Sequence, residues 1–247
     1  TLAIVHRLGK TSVVVGDCTG FLVNRLLSPY MNEVGYLLVE VADAMEIERA
    51  AISFGFPMGP LELTDLVGID VAAHVAENMQ KAYGPRMEAA PIWSKLKELR
   101  GEKKGPAPKL IVRGWRGKRK LSRRVKVAIK QIRKGQRTGR LPITPQEIVE
   151  RLVYPVINEA ARCLDEKIVE KPDHLDLAMV FGTGFAPFRG GPLRYADSVG
   201  LDRIVETLDR LAAQHPRLAP CEALRRRAVQ RRPFLEPTTA GPSAAVA

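Results

Sequence analysis

The spacing of apolar residues changes near residue 20. Residues 2–9, LAIVHRLG, place apolar positions at helical spacing and stop at a glycine, whereas residues 11–17, TSVVVGD, form a short β-branched run. Residues 21–40, FLVNRLLSPYMNEVGYLLVE, and several later segments again place apolar residues at helical spacing. The pattern predicts one helix and one buried strand, followed by a chain that is mainly α-helical.

The first helix and strand have no obvious partners. A single strand cannot form a sheet, and an unpaired apolar strand edge favours aggregation. We therefore expect residues 1–18 to be the last helix and strand of an α/β domain whose body lies upstream. On this interpretation the sequence is a fragment of a longer protein.

Two segments repeat one order of residues, which indicates an internal duplication. Four residues recur at an offset of 126 (158 − 32): Arg25, Pro29, Asn32 and Glu33 match Arg151, Pro155, Asn158 and Glu159. Six more recur at 132 (191 − 59): Gly59, Pro60, Leu61, Asp65, Gly68 and Asp70 match Gly191, Pro192, Leu193, Asp197, Gly200 and Asp202. We expect two helical units that pack about a pseudo-two-fold axis. The larger offset predicts a six-residue insertion in residues 182–192 of the second copy.

Composition is that of a globular protein that forms a core. The chain has 247 residues, of which 45% are hydrophobic. It shows no apolar run long enough to cross a bilayer and no secretory signal, so a cytoplasmic location is expected. The three cysteines are far apart and the histidines show no ligand spacing, so we predict neither disulfides nor a metal site.

The net charge of +12 is concentrated in residues 103–140. Residues 125–134, VKVAIKQIRK, predict a short cationic helix within this stretch. Trp115 lies among Arg113, Arg116 and Arg119, and such an aromatic could stack on a base while cations follow the phosphates. No known nucleic-acid-binding motif accompanies the run, so nucleic-acid binding is an alternative that we rank below a solvated linker.

Several segments together resemble a known family. They are residues 7–33, RLGKTSVVVGDCTGFLVNRLLSPYMNE, residues 55–70, GFPMGPLELTDLVGID, and the segments INEAARCLDE and GTGFAPFRGGPLRYADSVG in the second copy. In this order they resemble the C-terminal helical region of 3-hydroxyacyl-CoA dehydrogenases. The tandem arrangement is similar to that of the α-subunit of the multifunctional fatty-acid oxidation complex.

The resemblance covers residues 1–95 and 147–236 and implies a domain plan. The plan consists of a remnant of an NAD-binding Rossmann domain (1–18), a first helical domain (19–100), a basic linker (101–146), a second helical domain (147–235) and a disordered tail (236–247). The fold class is mainly α, with the helical domain in tandem.

The family oxidises 3-hydroxyacyl-CoA to 3-oxoacyl-CoA in β-oxidation, with NAD as the hydride acceptor. The resemblance implies an acyl-CoA substrate, NAD bound by the missing Rossmann domain of the full-length chain, and a thiolase subunit as a possible partner. The family's catalytic His and Glu belong to the segment upstream of residue 1, and the sequence lacks a GxGxxG turn. We therefore expect no catalytic or cofactor-binding residue here and no activity of the chain alone.

Two residues are candidates for substrate binding by resemblance. Asn24 occupies the asparagine position of the family's GF-(aliphatic)-VNR motif, which helps to hold the substrate. Phe181 lies where the family often has a tyrosine. Arg25 recurs as Arg151 where the asparagine does not, so we interpret Arg25 as structural. A helical assembly module without chemistry is a further alternative.

Overall fold

The computed structural model describes residues 2–40, 43–100, 109–134 and 143–235, and these are mainly α-helical, as predicted. The helices are α1 (Leu2–Arg7), α2 (Val23–Glu40), α3 (Ala44–Phe54), α4 (Pro60–Val67), α5 (Ile69–Tyr83), α6 (Pro91–Arg100), α7 (Arg123–Lys134), α8 (Pro145–Asp165), α9 (Pro172–Thr183), α10 (Pro192–Val199), α11 (Leu201–Ala212) and α12 (Glu222–Val229). Strands β1 (Ile111–Arg113) and β2 (Arg119–Leu121) pair antiparallel, with Ile111 opposite Leu121.

Helices α2 and α8 form the centre of the molecule and pack against each other. Leu26 and Val34 of α2 are fully buried, as are Ile148 and Ile157 of α8. Each helix is buried over most of its surface, which explains why its sequence is apolar on more than one face. The remaining helices pack around this pair and supply the rest of the core.

The order of helices in α2–α6 repeats in α8–α12, which confirms the duplication. The matched asparagines make the same bonds in both units. Asn32 accepts the N–H of Ala90 at 2.8 Å, and Asn158 accepts that of Cys221 at 2.8 Å. The Asn32 amide also donates to the carbonyl of Glu88, and the Asn158 amide donates to that of Ala219. In each unit this carbonyl lies two residues before the N–H group that the asparagine accepts. These asparagines hold the loop before the last helix of their unit.

Acidic side chains repeat in the same way. Glu48 accepts the N–H of Leu61 at 2.6 Å, and Asp176 accepts that of Leu193 at 2.7 Å. The carboxylate therefore bonds a main-chain N–H group in the first turn of α4 in the first unit and of α10 in the second. The repeat is a repeat of hydrogen bonds as well as of helices.

A second pair of carboxylates caps the end of each unit. Asp65 accepts the main-chain N–H groups of residues 110–111, and Asp197 accepts those of residues 234–235. The first unit therefore extends into the stretch that the sequence assigns to a linker.

The described part of that stretch folds onto the first unit. Leu110 and Ile111 are buried, and Val125, Ala128 and Ile129 of α7 are buried against the core. The cationic helix predicted for residues 125–134 is confirmed, but 109–134 are an integral part of the fold because several of their sparse apolar residues are buried. Residues 101–108 and 135–142 of the stretch, like the tail 236–247, lie outside the described residues.

The strand predicted for residues 11–17 is not formed. Residues 10–18 make no ladder, and among the described residues β1 and β2 pair only with each other. A single main-chain bond, from Gly16 N–H to Ile168 O at 2.7 Å, holds the segment beside the second unit. Its valines, Val13 and Val15, still pack against the core. A β-branched run needs neighbouring strands to become a strand, and the two described strands, β1 and β2, pair only with each other.

The extra residues of the second copy are spread along it and are not confined to residues 182–192. The offset is already 128 between Glu48 and Asp176, and 129 between the glycines Gly55 and Gly184 that end α3 and α9. Three of the six extra residues of the second copy therefore lie after Gly184, and the other three lie before it. No described helix is long and apolar enough to cross a membrane.

Candidate functional site

Asn24 lies in the first turn of α2, after a tight turn. Gly20 and Phe21 both have positive φ, of 83° and 48°, and a side chain at Gly20 would come within 2.3 Å of the methyl group of Met79. Glycine at position 20 therefore lets the chain enter α2 close to α5. Asn24 is exposed, and its amide has no hydrogen-bond partner among the described residues.

Asn24 lines an apolar groove with a volume of about 230 Å³ between α2, α4, α5 and α6. The other lining residues are Leu27, Ser28, Met31, Asn32, Leu63, Val67, Val71, Ala72, Val75, Ala76 and Trp93. Ser28 Oγ donates to the carbonyl of Asn24 at 2.7 Å, and the amide of Asn32 bonds main-chain groups through both its nitrogen and its oxygen. Of the three polar lining side chains, Asn24 is therefore the one that makes no side-chain hydrogen bond among the described residues.

The indole of Trp93 forms one wall of the groove and is buried. It lies against Gly35 of α2, where a Cβ would come within 2.8 Å of the indole Nε1. The absence of a side chain at Gly35 lets α6 approach α2 this closely. Trp93 is thus fixed in position and gives the groove a natural fluorescent reporter.

The apolar lining residues were not recognised as site residues in the sequence. Val67 and Val71 are about half exposed or more, although they lie on helices that also contribute to the core. Valines outside the buried stripe of an amphipathic helix can indicate an apolar groove. The sequence does not show that α4 and α5 lie side by side, so the groove could not be inferred from these valines alone.

Phe181 lies on α9 and its side chain is 76% exposed. The next residue, Gly182, packs against Val23 at the start of α2, where a Cβ would come within 3.1 Å of the valine methyls. The structure therefore brings α9 to the beginning of α2, but Phe181 does not line the groove that Asn24 lines. Its role in substrate binding stays a prediction.

Arg25 points in the opposite direction from Asn24 and is completely buried. It donates to Glu159 and to Glu166, at 2.7 Å each, and its guanidinium lies 4.6 Å from the ring centre of Tyr83. Burial by itself would lower the pKa of Arg25, but its bonds to Glu166 and Glu159 outweigh burial and raise it. The interpretation of Arg25 as a structural residue is confirmed.

Comparison with known proteins gives a consistent result. The family model described as 3-hydroxyacyl-CoA dehydrogenase, C-terminal domain, matches residues 20–107 and again residues 148–235. The structure of 3-hydroxybutyryl-CoA dehydrogenase from Escherichia coli is similar, with a TM-score of 0.68 and 23% identity, over 92% of this chain and 63% of that one.

A second similar structure is the dehydrogenase part of multifunctional enzyme 1 from C. elegans. Its TM-score is 0.62 and its identity 26%, over 90% of this chain and 50% of that one. The chain therefore spans less than two thirds of the length of either protein.

Proposed function

Because this chain belongs to the family of 3-hydroxyacyl-CoA dehydrogenase C-terminal domains, we propose that it is the substrate-side helical part of an NAD-dependent 3-hydroxyacyl-CoA dehydrogenase. The reaction is the oxidation of 3-hydroxyacyl-CoA to 3-oxoacyl-CoA in fatty-acid β-oxidation. The observation that carries the proposal is the position of Asn24, an exposed amide without a protein partner among the described residues, beside an apolar groove.

The chemistry of an amide suits the oxygen at C3 of the substrate. This oxygen belongs to a hydroxyl group in the substrate and to a carbonyl group in the product. The Asn24 side chain can accept a hydrogen bond from the first and donate one to the second. It would hold the oxygen in place on both sides of the reaction, while the transfer of the proton and the hydride depends on groups outside this chain.

The groove suits an acyl chain. Its walls are mainly aliphatic, apart from Trp93 and three polar residues of α2, and each methylene that leaves water for such a surface contributes about 0.8 kcal/mol. A groove of about 230 Å³ favours a short or medium chain over a long one. The polar end of the substrate would then lie at Asn24.

The residues of this chain do not fit NAD. The sequence has no GxGxxG turn, and the sheet of the described residues is one antiparallel pair of short strands. NAD, which would accept the hydride, would be bound by a Rossmann domain of the full-length protein, in which residues 11–17 would find the neighbouring strands that they lack among the described residues. Phe181, which lies on α9 outside the groove, would contact the substrate only in that complete enzyme.

The same proposal covers the cellular context. A 3-oxoacyl-CoA product is ready for cleavage by a thiolase, so a thiolase subunit is the expected partner. The expected location is the cytoplasm.

Binding of a 3-oxoacyl-CoA to this chain tests the proposal. In a Trp115→Phe background, Trp93 is the remaining tryptophan of two, so its emission reports on the groove. We expect short- and medium-chain 3-oxoacyl-CoA to shift this emission in a saturable way. Val71→Asp, which places a charge in the groove, should abolish the shift, and Val229→Asp, at an exposed valine of α12, should not.

A chain that gives no shift, or that gives the same shift with Val71→Asp, would count against the groove as the substrate site.

A further inference from the structure

The cationic helix α7 presents one face to the core and the other to solvent. Val125, Ala128 and Ile129 are buried against α6 and α2. Lys126, Lys130 and Lys134 are exposed and, at four-residue intervals, share one face with a rise of about 6 Å between neighbours. The packing of the apolar face therefore fixes the direction of the lysines.

These lysines line a second and larger groove, which we call the basic groove. It lies between α3, β2 and α7 and has a volume of about 1080 Å³. Its floor includes Leu38, Met45, Ile52, Leu121 and Ile129, and its cationic lining residues are Arg49, Lys118, Arg119, Lys120, Lys126, Lys130, Arg133 and Lys134. The basic groove thus combines apolar surface with a high density of positive charge.

The carboxylates of the basic groove do not neutralise it. The two acidic lining residues are Asp43 and Glu48, and each already bonds a nearby arginine, Arg49 and Arg119 respectively. The five lysines have no carboxylate partner in the part of the chain that the structure describes. Charges of one sign held together without compensation attract a polyanion.

An exposed tryptophan lies next to the basic groove in the chain. Trp115 is 82% exposed, in the turn between β1 and β2, and Lys118 and Lys120 follow it directly into the basic groove. Proteins that bind single-stranded nucleic acid combine exposed aromatic side chains with cationic grooves, because a base can stack on the ring while lysines follow the backbone.

From these features we propose that the basic groove binds single-stranded RNA or DNA, with phosphates along α7 and β2 and a base on Trp115. The proposal is independent of the dehydrogenase function, since it involves none of the residues of the Asn24 groove. An acidic protein segment could also meet the lysines, but it would not use the aromatic surface of Trp115.

The direct test is binding of a fluorescein-labelled oligouridine by the purified chain, measured by anisotropy at several salt concentrations. Five lysine contacts predict that the logarithm of the affinity falls against the logarithm of the salt concentration with a slope of about −3.5. Stacking should also quench the emission of Trp115, while Trp93, which is buried, should be unaffected.

Two variants separate the contributions. A triple variant with Gln in place of Lys126, Lys130 and Lys134 should weaken binding at least about tenfold at moderate salt. It should also reduce the steepness of the salt dependence by about 2. Trp115→Ala should weaken binding by about tenfold and remove the quenching. Both changes are at exposed residues, and circular dichroism with the melting temperature confirms that each variant folds.

A matched control loses the same charge elsewhere on the surface. It carries Gln in place of Lys10, Lys81 and Lys171, which are all exposed and lie outside the basic groove. It should bind as the parent does. Equal weakening by this control would overturn the proposal, since net charge would then suffice. The proposal would also be overturned if inorganic polyphosphate, compared at equal phosphate concentration, competed as strongly as the RNA. Tighter binding of polyglutamate than of RNA would overturn it as well, in favour of a different polyanion.

Discussion

The guanidinium of Arg151 on α8 donates to the carboxylate of Glu33 on α2 at 2.9 Å, in the interior between the two units. It is the repeat-related equivalent of the bond from Arg25 to Glu159, so each unit supplies one arginine and one glutamate to the other. Such reciprocal contacts are the mark of an isologous interface, here formed within one chain. The two units of the chain therefore pack as the two subunits of a symmetric dimer would.

The first prediction concerns this buried charge. Arg151→Met should lower the free energy of unfolding by about 2 to 3 kcal/mol, because Glu33 and Glu40 lose their bonds from Arg151 and Glu33 is left with Arg217 alone. Urea unfolding followed by circular dichroism measures the difference. The matched change Arg49→Met removes an exposed pair with Asp43 and should cost at most about 1 kcal/mol. If the two variants were equally stable, the buried pair would not contribute to the interface.

The second prediction separates binding from stability at two asparagines. Asn24→Ala should change the free energy of unfolding by less than about 0.5 kcal/mol, because its amide has no partner to lose among the described residues, but it should weaken the binding of 3-oxoacyl-CoA. Asn158→Ala should cost about 1 to 3 kcal/mol, because it leaves the N–H of Cys221 and the carbonyl of Ala219 unpaired, and should bind as the parent does.

Thermal melting and Trp93 fluorescence on the same two proteins decide between the roles. An Asn24→Ala protein that melts much earlier and binds normally would remove Asn24 from the site. In the complete enzyme, the same change should lower turnover.

The spacing of apolar residues predicted the mainly helical fold, and the offsets of the repeat predicted the two related units that pack on each other. Arg25 and Glu159 both stood in the repeated motif, yet the sequence did not show that they bond to each other across 134 residues. Such pairing depends on how α2 crosses α8, and no local pattern encodes this angle.

The site was predicted only in part. Asn24 was found through a motif, but the groove beside it is formed by residues of four helices and needed the fold. The basic stretch was assigned to a linker because its few apolar residues, such as Val125 and Ile129, are scattered among cations. Their common direction emerged only when α7 was placed against α6.

The third prediction concerns activity. We expect the chain alone, given NAD and 3-hydroxyacyl-CoA, to produce no NADH, because its sequence lacks the GxGxxG turn that binds the hydride acceptor. Absorbance at the NADH band measures this. Addition of the full-length protein, as the positive control, should restore the signal. Reduction of NAD by the chain alone would contradict both this prediction and the division of labour that we propose.

The last prediction is a pH dependence of stability that arises at Asp176. Burial raises the pKa of Asp176 to about 7 from its ordinary value of 3.8, although the N–H groups of Leu193 and Arg194 donate to its carboxylate and act in the opposite direction. Between about pH 4 and pH 7 the folded protein therefore holds a proton that the unfolded chain has lost. The stability from this group is complete below about pH 4 and is lost as the pH rises through 7.

At about 1.4 kcal/mol per unit of pKa difference, the loss should amount to about 2 to 4 kcal/mol. Asp176→Asn, which resembles the protonated acid, should flatten this part of the profile, whereas Asp202→Asn, at an exposed carboxylate, should leave it unchanged. The measurement is urea unfolding of the three proteins at intervals from pH 4 to pH 8. Since other carboxylates also titrate in this range, the decisive quantity is the difference between parent and variant. A difference that is constant with pH would show that Asp176 stays ionised in the folded protein, stabilised by its two main-chain donors.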